Sequence, residues 1–457
     1  MHRRIYGTEL EYGMFSWELV PKHLTISDFM SKVGDIVNHA PALLNGGRLY
    51  KDAGDHPEYS TPECLTPLEV VLYEKAGERI LEEIFKHGFD IDGVKGSAKL
   101  YRTAVDKKEH THGYHENYLV DRKIPLEYLT SQMIPFLVTR VIYAGSGFVD
   151  KEFMLSGRAM HIYHESGPTT NVAGQRAIYN TRDEPHADTA KYRRLHLIVG
   201  DPNMSEYSTF LKIGATSLML DLVDDGLVDL EIENPVETLH TLSRLYSVWP
   251  IKLKNGKTIS AIDLQREYLS KAQKHFSSGC ENDCQYLHGM NSDILKLWEK
   301  TLGALEKNPM ILSDQLDWVI ELKMLDAKMK QKNLSIEDPL VSMLDLKYHE
   351  IGEKSLFYML QNKDFVRRLL SDVDIEKAMT TPPNTRAKGR SLIIKKMKER
   401  GKDLLTNHTM SHMWNSFPSV EWGKPLKTSA PTMIDPFETY EEEIEEYFRK
   451  LDLELGI

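Results

Sequence analysis

Two glutamates stand one residue apart in the stretch Thr8-Glu9-Leu10-Glu11-Tyr12. In a strand, side chains alternate between faces, so Glu9 and Glu11 share one face while Thr8, Leu10 and Tyr12 share the other. Carboxylates about 7 Å apart repel one another. Either water screens them on a solvated face, or a hard divalent cation such as Mg²⁺ holds them in a cleft, and such ions accompany phosphates. A second stretch, RLYKDAGDHPEYSTPE, sets Arg48, Tyr50 and Asp52 at alternate positions, followed by Glu58 and a Ser60-Thr61-Pro62 turn. A guanidinium forks onto phosphate oxygens, carboxylates bind Mg²⁺, and an aspartate outside the metal shell can accept a proton. The hydrogen-bonded rim of a sheet would use the same residues without chemistry. Two further stretches are dense in reactive types. GYHENYL offers His115, Glu116 and Asn117, and NTRDEPHADTAKYRRLHLIVGD gathers Arg182, Arg193, Arg194 and His196 among acids. The second of these is interrupted by a proline and runs into an apolar strand, as a structured loop presenting arginines to a cleft would.

These side chains need elements to position them. LLNGGRLYKD reads as a glycine turn into a strand, and SAKLYRTAV, HENYLV and RLHLIVG as further strands. TPLEVVLYEKAGERILEEIFKHG reads as a helix with Thr66 as cap, Pro67 in the first turn, Glu69 completing a capping box and Gly88 ending it. KNGKT predicts an Asn-Gly hairpin turn rather than a phosphate loop, because the upstream glycine is missing. From about Glu237 onward helical periodicity dominates, and the final EEEIEEYFRKL places Ile444, Tyr447, Phe448 and Leu451 on one face. A composition shift near TTPPNTRAKGR puts a boundary around residue 390. With 457 residues, 41% hydrophobic and 27% charged, the chain has the composition of a soluble globular protein. A net charge of −11 argues against a nucleic-acid surface as the main function, and no apolar run is long enough for a membrane span. With no apolar leader at the N-terminus either, the expected location is cytoplasmic. Cys280 and Cys284, with His288 nearby, are a loose zinc spacing without an evident fourth ligand, so an ordinary polar loop is the favoured reading. No serine-hydrolase, zincin, kinase or Walker motif occurs.

The stretches GTELEYG, NGGRLYKDAGDHPEYSTPEC, GYHENYL, PFLVTR, NTRDEPHADTAKYRRLHLIVGDPNMSE, DLQREY and PPNTRA resemble, nearly end to end, the pupylation enzymes. These are the ligase that attaches the prokaryotic ubiquitin-like protein Pup to lysines, and the paralogue that deamidates Pup or removes it. The resemblance implies an α+β fold like that of glutamine synthetase and the carboxylate-amine ligases. In that fold a curved, mostly antiparallel sheet cradles ATP and metals, here over residues 1–390, with a small C-terminal domain over 391–457. It further implies Mg²⁺ contacts from Glu9, Tyr50 and Glu58, with Glu11 and His115 serving a second ion. Arg48 and Thr61 would touch ATP, and Asp52 would be the catalytic base. Trp414, or else Trp422, would contact the nucleotide, while Arg182 and Arg194 represent the arginine-rich stretches that would meet the γ-phosphate. The implied partners are a small, disordered Pup-like protein and lysine-bearing acceptors, with no nucleic acid and no membrane.

Between the two branches, positions 14–44 lack the long insertion of the deamidase, and VGDPNMSE and DLQREYLSKA are ligase-like, whereas GTELEYG is closer to the deamidase. The expectation is therefore the ligase, with the deamidase/depupylase as the alternative and a ligase acting on a different peptide or small-molecule carboxylate as the second. Where the family carries paired asparagines this chain has Thr103 and Ala104, and where it carries S-Q-R-A and an acid this chain has SGRAMHI, with Gly157 and Met160.

Overall fold

The alternation read at the N-terminus appears as strand β1 (Tyr6–Glu11), in which Tyr6, Thr8 and Leu10 are buried while Gly7, Glu9 and Glu11 are half-buried. This computed structural model describes residues 3–15, 43–52, 56–85, 89–91, 94–96, 99–106, 110–170, 172–244, 250–277, 285–401 and 427–456. Strands β2 (Arg48–Lys51) and β3 (Pro57–Ser60) follow, and β3 lies between β1 and β2, antiparallel to both. Helix α1 (Pro67–Phe85) starts where its capping signals predict: the Glu69 N–H donates to Thr66 Oγ1 at 3.1 Å. The Glu69 carboxylate reaches back one residue further than a standard box, accepting the Leu65 N–H at 2.6 Å. Inside the same unit the Thr8 hydroxyl donates to Glu74 of α1 at 2.9 Å, tying helix to strand.

Strand β4 (Tyr114–Asp121) and helix α2 (Leu126–Thr139) open the middle of the chain. Strands β5 (His164–Gly167), β6 (Ala177–Asn180) and β7 (Tyr192–Leu197) follow, in the spatial order β5-β6-β7-β4. The β6–β7 pair is antiparallel, with Asn180 opposite His196, but β5 and β6 run parallel, so strand pairing is mixed. Helix α3 (Glu206–Asp224) is buried along nearly its whole length, as its apolar circumference dictates. The Asn-Gly turn joins β8 (Pro250–Lys252) to β9 (Thr258–Ser260) as the sequence predicts, with Gly256 at φ +81. Helices α4 (Ala261–Ser277), α5 (Asp317–Lys332) and α6 (Pro339–Tyr348) continue the helical half. Trp298 stacks edge-on against Phe136 of α2, and Trp318 of α5 donates its indole N–H to the Ile142 carbonyl, each at the centre of the apolar packing.

Helices α7 (Arg386–Glu399) and α8 (Glu441–Leu455) close the chain. Ile444, Tyr447, Phe448 and Leu451, the predicted face of α8, pack on Ile393, Ile394 and Met397 of α7. Two compact units result. One comprises 4–99, 184–193 and 371–457, and the other mainly 100–183 and 194–370. Residue 390 falls inside α7, which groups with the N-terminal strands.

Candidate active site

Antiparallel register explains how the acids converge. Residues directly opposite one another in a ladder point to the same face, and Glu11, Glu58 and Tyr50 are opposite one another across β1, β3 and β2. One step along, Glu9, Ser60 and Arg48 form a second row on that face, while Leu10, Tyr59 and Leu49 lie on the other. The Tyr50 and Ser60 hydroxyls share a hydrogen bond of 3.0 Å, and the Arg48 guanidinium sits 5.1 Å from the centre of the Tyr50 ring. Asp52 follows β2, its N–H donating to the His56 carbonyl at 3.0 Å. One carboxylate oxygen from each of Glu11, Asp52 and Glu58 comes within 4.8 Å of the others.

Electrostatics show what this face asks for. Glu58 is only 4% exposed, and burial followed by the charges of Glu9, Glu11 and Asp52 raises its pKa well above the carboxylate range. Burial and Glu58 raise the Tyr50 phenol likewise. Burial also lowers the Arg48 pKa, against the pull of Tyr50, Glu9 and Glu58. Four carboxylates beside one guanidinium form an all-oxygen donor set that fits a hard divalent cation, whose charge would offset their repulsion. Thr61 ends β3; its hydroxyl oxygen accepts the Thr8 N–H at 2.9 Å and its own N–H donates to the Thr8 carbonyl.

Three residues beside this face went unassigned in the sequence. The Glu63 carboxylate accepts from Arg386 Nε at 2.7 Å and Arg390 Nη1 at 2.9 Å, and Arg390 Nη2 also bonds the Gly46 carbonyl at 2.7 Å. Burial pushes the Glu63 pKa up, but Arg390 and Arg386 overcome it and hold the group at about 2. Thr385 caps α7 through the Ala387 N–H and donates its hydroxyl to the Glu63 carbonyl at 2.9 Å. Thr385 and Arg386 of PPNTRA thus hold Glu63, and Arg390, one turn further on, ties it to the glycine turn that leads into β2. Two arginines four apart at the start of a helix, sharing one face, were the available signal.

The other unit holds the remaining candidates. His115 and His196 are buried, with ring centroids 5.1 Å apart and edge-on. Glu116 is taken by Arg140 of PFLVTR in a bidentate pair at 2.5 and 2.9 Å, with the Tyr118 hydroxyl donating at 2.7 Å, so it serves packing rather than ligation. Arg182 is exposed, its N–H bonded to Asn180 Oδ1 at 2.8 Å, and the half-buried Arg194 donates its backbone N–H to Asp183 at 3.3 Å. Trp414, Trp422, Cys280, Cys284 and most of the 14–44 segment lie outside the described residues, as does the side chain of His288.

The described residues thus combine a mixed α/β architecture with an acid-rich strand face that carries the half-buried Arg48. The family model described as "Pup-ligase protein" matches residues 28–416. Pup–protein ligases of Paenarthrobacter aurescens (strain TC1) and Kineococcus radiotolerans are each 37% identical to this chain, over 88% of it and 91% and 92% of their own lengths. Among solved structures, the Pup ligase PafA in complex with Pup is similar at 30% identity with a TM-score of 0.85, covering 99% of this chain and 93% of that one. PafA in complex with ADP is similar at 29% identity with a TM-score of 0.80, covering 96% of each chain. The chain belongs to the Pup-ligase family.

Proposed function

We propose that the protein is an ATP-dependent ligase that joins the side-chain carboxylate of a C-terminal glutamate, on a Pup-like protein, to lysines of acceptor proteins. The observation that carries this reading is the register that aligns Glu11, Glu58 and Tyr50, with Asp52 beside them. Support comes from relatives named Pup–protein ligase and from solved relatives holding ADP and Pup.

A carboxylate is a poor electrophile until its oxygen becomes a good leaving group, which phosphorylation by ATP achieves. On this reading Glu9, Glu11, Tyr50 and Glu58, with His115, would hold Mg²⁺. Bound there, the ion would neutralise phosphate charge. Arg48 pairs with phosphate oxygens through its fork, as would Arg182 and Arg194, and Thr61 positions the nucleotide. Asp52 takes the proton that a lysine must lose before it can attack the acyl phosphate. The glutamine synthetase-like curvature of the sheet over 1–390, and a nucleotide contact from Trp414 within 391–457, belong to the same proposal, as does a cytoplasmic location. Among the described residues no helix is long and apolar enough to cross a membrane.

Incubation with ATP, Mg²⁺, a glutamate-ended Pup-like protein and a lysine-bearing acceptor should give a larger covalent adduct, with ADP formed in proportion. Cleavage of a preformed conjugate, with no conjugation under any such condition, would assign the chain to hydrolysis instead.

A further inference from the structure

A second set of metal-ligand side chains lies wholly within the unit built from 100–183 and 194–370. Glu321 comes from α5, Asp345 from the last turn of α6, and His349 is the residue that ends α6. Asp345 and His349 are four apart, the spacing that puts two side chains on one helical face, and α5 supplies the third group from alongside. All three are buried, His349 to 2% exposure. Yet the imidazole makes no hydrogen bond with the described residues: Nδ1 has none, and Nε2 lies 3.8 Å from Glu321 Oε2 and 3.9 Å from Asp345 Oδ1. Those separations exceed hydrogen-bond range. They are closer to the spacing of donors around a shared ion, since ligands about 2.1 Å from a tetrahedral Zn²⁺ stand roughly 3.4 Å apart. The backbone makes room for the arrangement. Gly147, at φ +87, lies so close that a Cβ there would fall 1.9 Å from Glu321 Oε2.

We propose that Glu321, Asp345 and His349 form a structural site for one divalent ion of borderline softness, with Zn²⁺ the best match to the donors. The imidazole disfavours Mg²⁺ and Ca²⁺, which take oxygen ligands, and two carboxylates balance the charge of one divalent ion. Bound there, the ion fastens α5 to the end of α6. The site owes nothing to Glu11, Asp52 and Glu58, which belong to the other unit.

The test loads full-length protein with Zn²⁺, removes loose metal by gel filtration and measures metal per chain and thermal midpoint. Wild type and Glu58→Gln, in which the strand cluster is weakened, should both retain one Zn²⁺ and melt several degrees higher with it. His349→Gln should retain none and show no zinc-dependent shift. Equal retention by His349→Gln, or a wild type that holds no Zn²⁺, overturns the proposal. If His349→Gln does not fold by circular dichroism, Co²⁺-loaded wild type decides: intense visible d–d bands from a low-symmetry site support the assignment, and their absence overturns it.

Discussion

Among single residues, Asp52 and Glu58 stand within reach of each other, but the proposed function gives them different work. Asp52→Asn keeps the shape and removes the base, so conjugation should fall by about 10²–10⁴-fold while ATP binding, followed by calorimetry, survives. Loss of nucleotide binding would make Asp52 a metal ligand instead. Burial and the neighbouring carboxylates oppose ionisation of Glu58, so on the proposed reading Glu58→Gln removes a charge that only a bound cation would sustain, and its effect is on the cation. Activity of that variant should saturate only at higher Mg²⁺ than wild type, read from an Mg²⁺ titration at fixed ATP. An unchanged titration would exclude Glu58 from the metal shell. Glu116 illustrates the limit of residue type as a guide. It stands in GYHENYL beside His115, yet Arg140 claims both of its oxygens. Side-chain chemistry alone cannot distinguish a ligand from half of a buried ion pair.

Secondary-structure elements were legible wherever the signal is local. Period two over residues 8–12 and 48–52 places Glu9, Glu11, Arg48 and Tyr50, because a strand's faces are decided within a few residues. Thr66, Pro67 and Glu69 mark the start of α1 for the same reason, and the face of α8 follows from four apolar residues at helical spacing. What local pattern cannot carry is the pairing of elements. The parallel β5–β6 pair has no signature in either strand. The clamp on Glu63 joins positions far apart in the chain, so nothing near Glu63 announces it. Its energetics are testable. With its pKa held at about 2 in the fold, against about 4.3 when unfolded, Glu63 contributes stability above pH 4.3 that is lost as pH falls toward 2. Glu63→Gln should therefore cost about 3–5 kcal/mol at pH 7, by stranding two buried guanidiniums, and the gap from wild type in urea unfolding should narrow between about pH 4.3 and 2. A gap constant with pH would mean that the carboxylate charge is not what the arginines need. In the α7–α8 packing, Leu451→Ala should cost about 2–5 kcal/mol, read from the same unfolding curves. A change below about 0.5 kcal/mol would show that α8 docks without contributing to the cooperative unit.

Across the whole molecule, one compact unit is assembled from the first hundred residues, a short central segment and the last part of the chain. Glu63 meets Arg386 across a sequence separation of 323 residues. Ribosomes add roughly 5–20 residues per second, so β1, β2 and β3 emerge roughly 15–65 s before the helix that clamps them exists. During that interval Glu63 has no arginine from α7 to balance it, and burying its charge would be unfavourable. The intervening stretch, complete by residue 370, is free to settle first. Vectorial synthesis thus orders assembly against the direction of the sequence: the strands that carry the carboxylate row are made first and closed last. A nascent chain stalled before residue 386 should expose β1 to β3 to protease while protecting α3, and release of the full-length chain should end that difference.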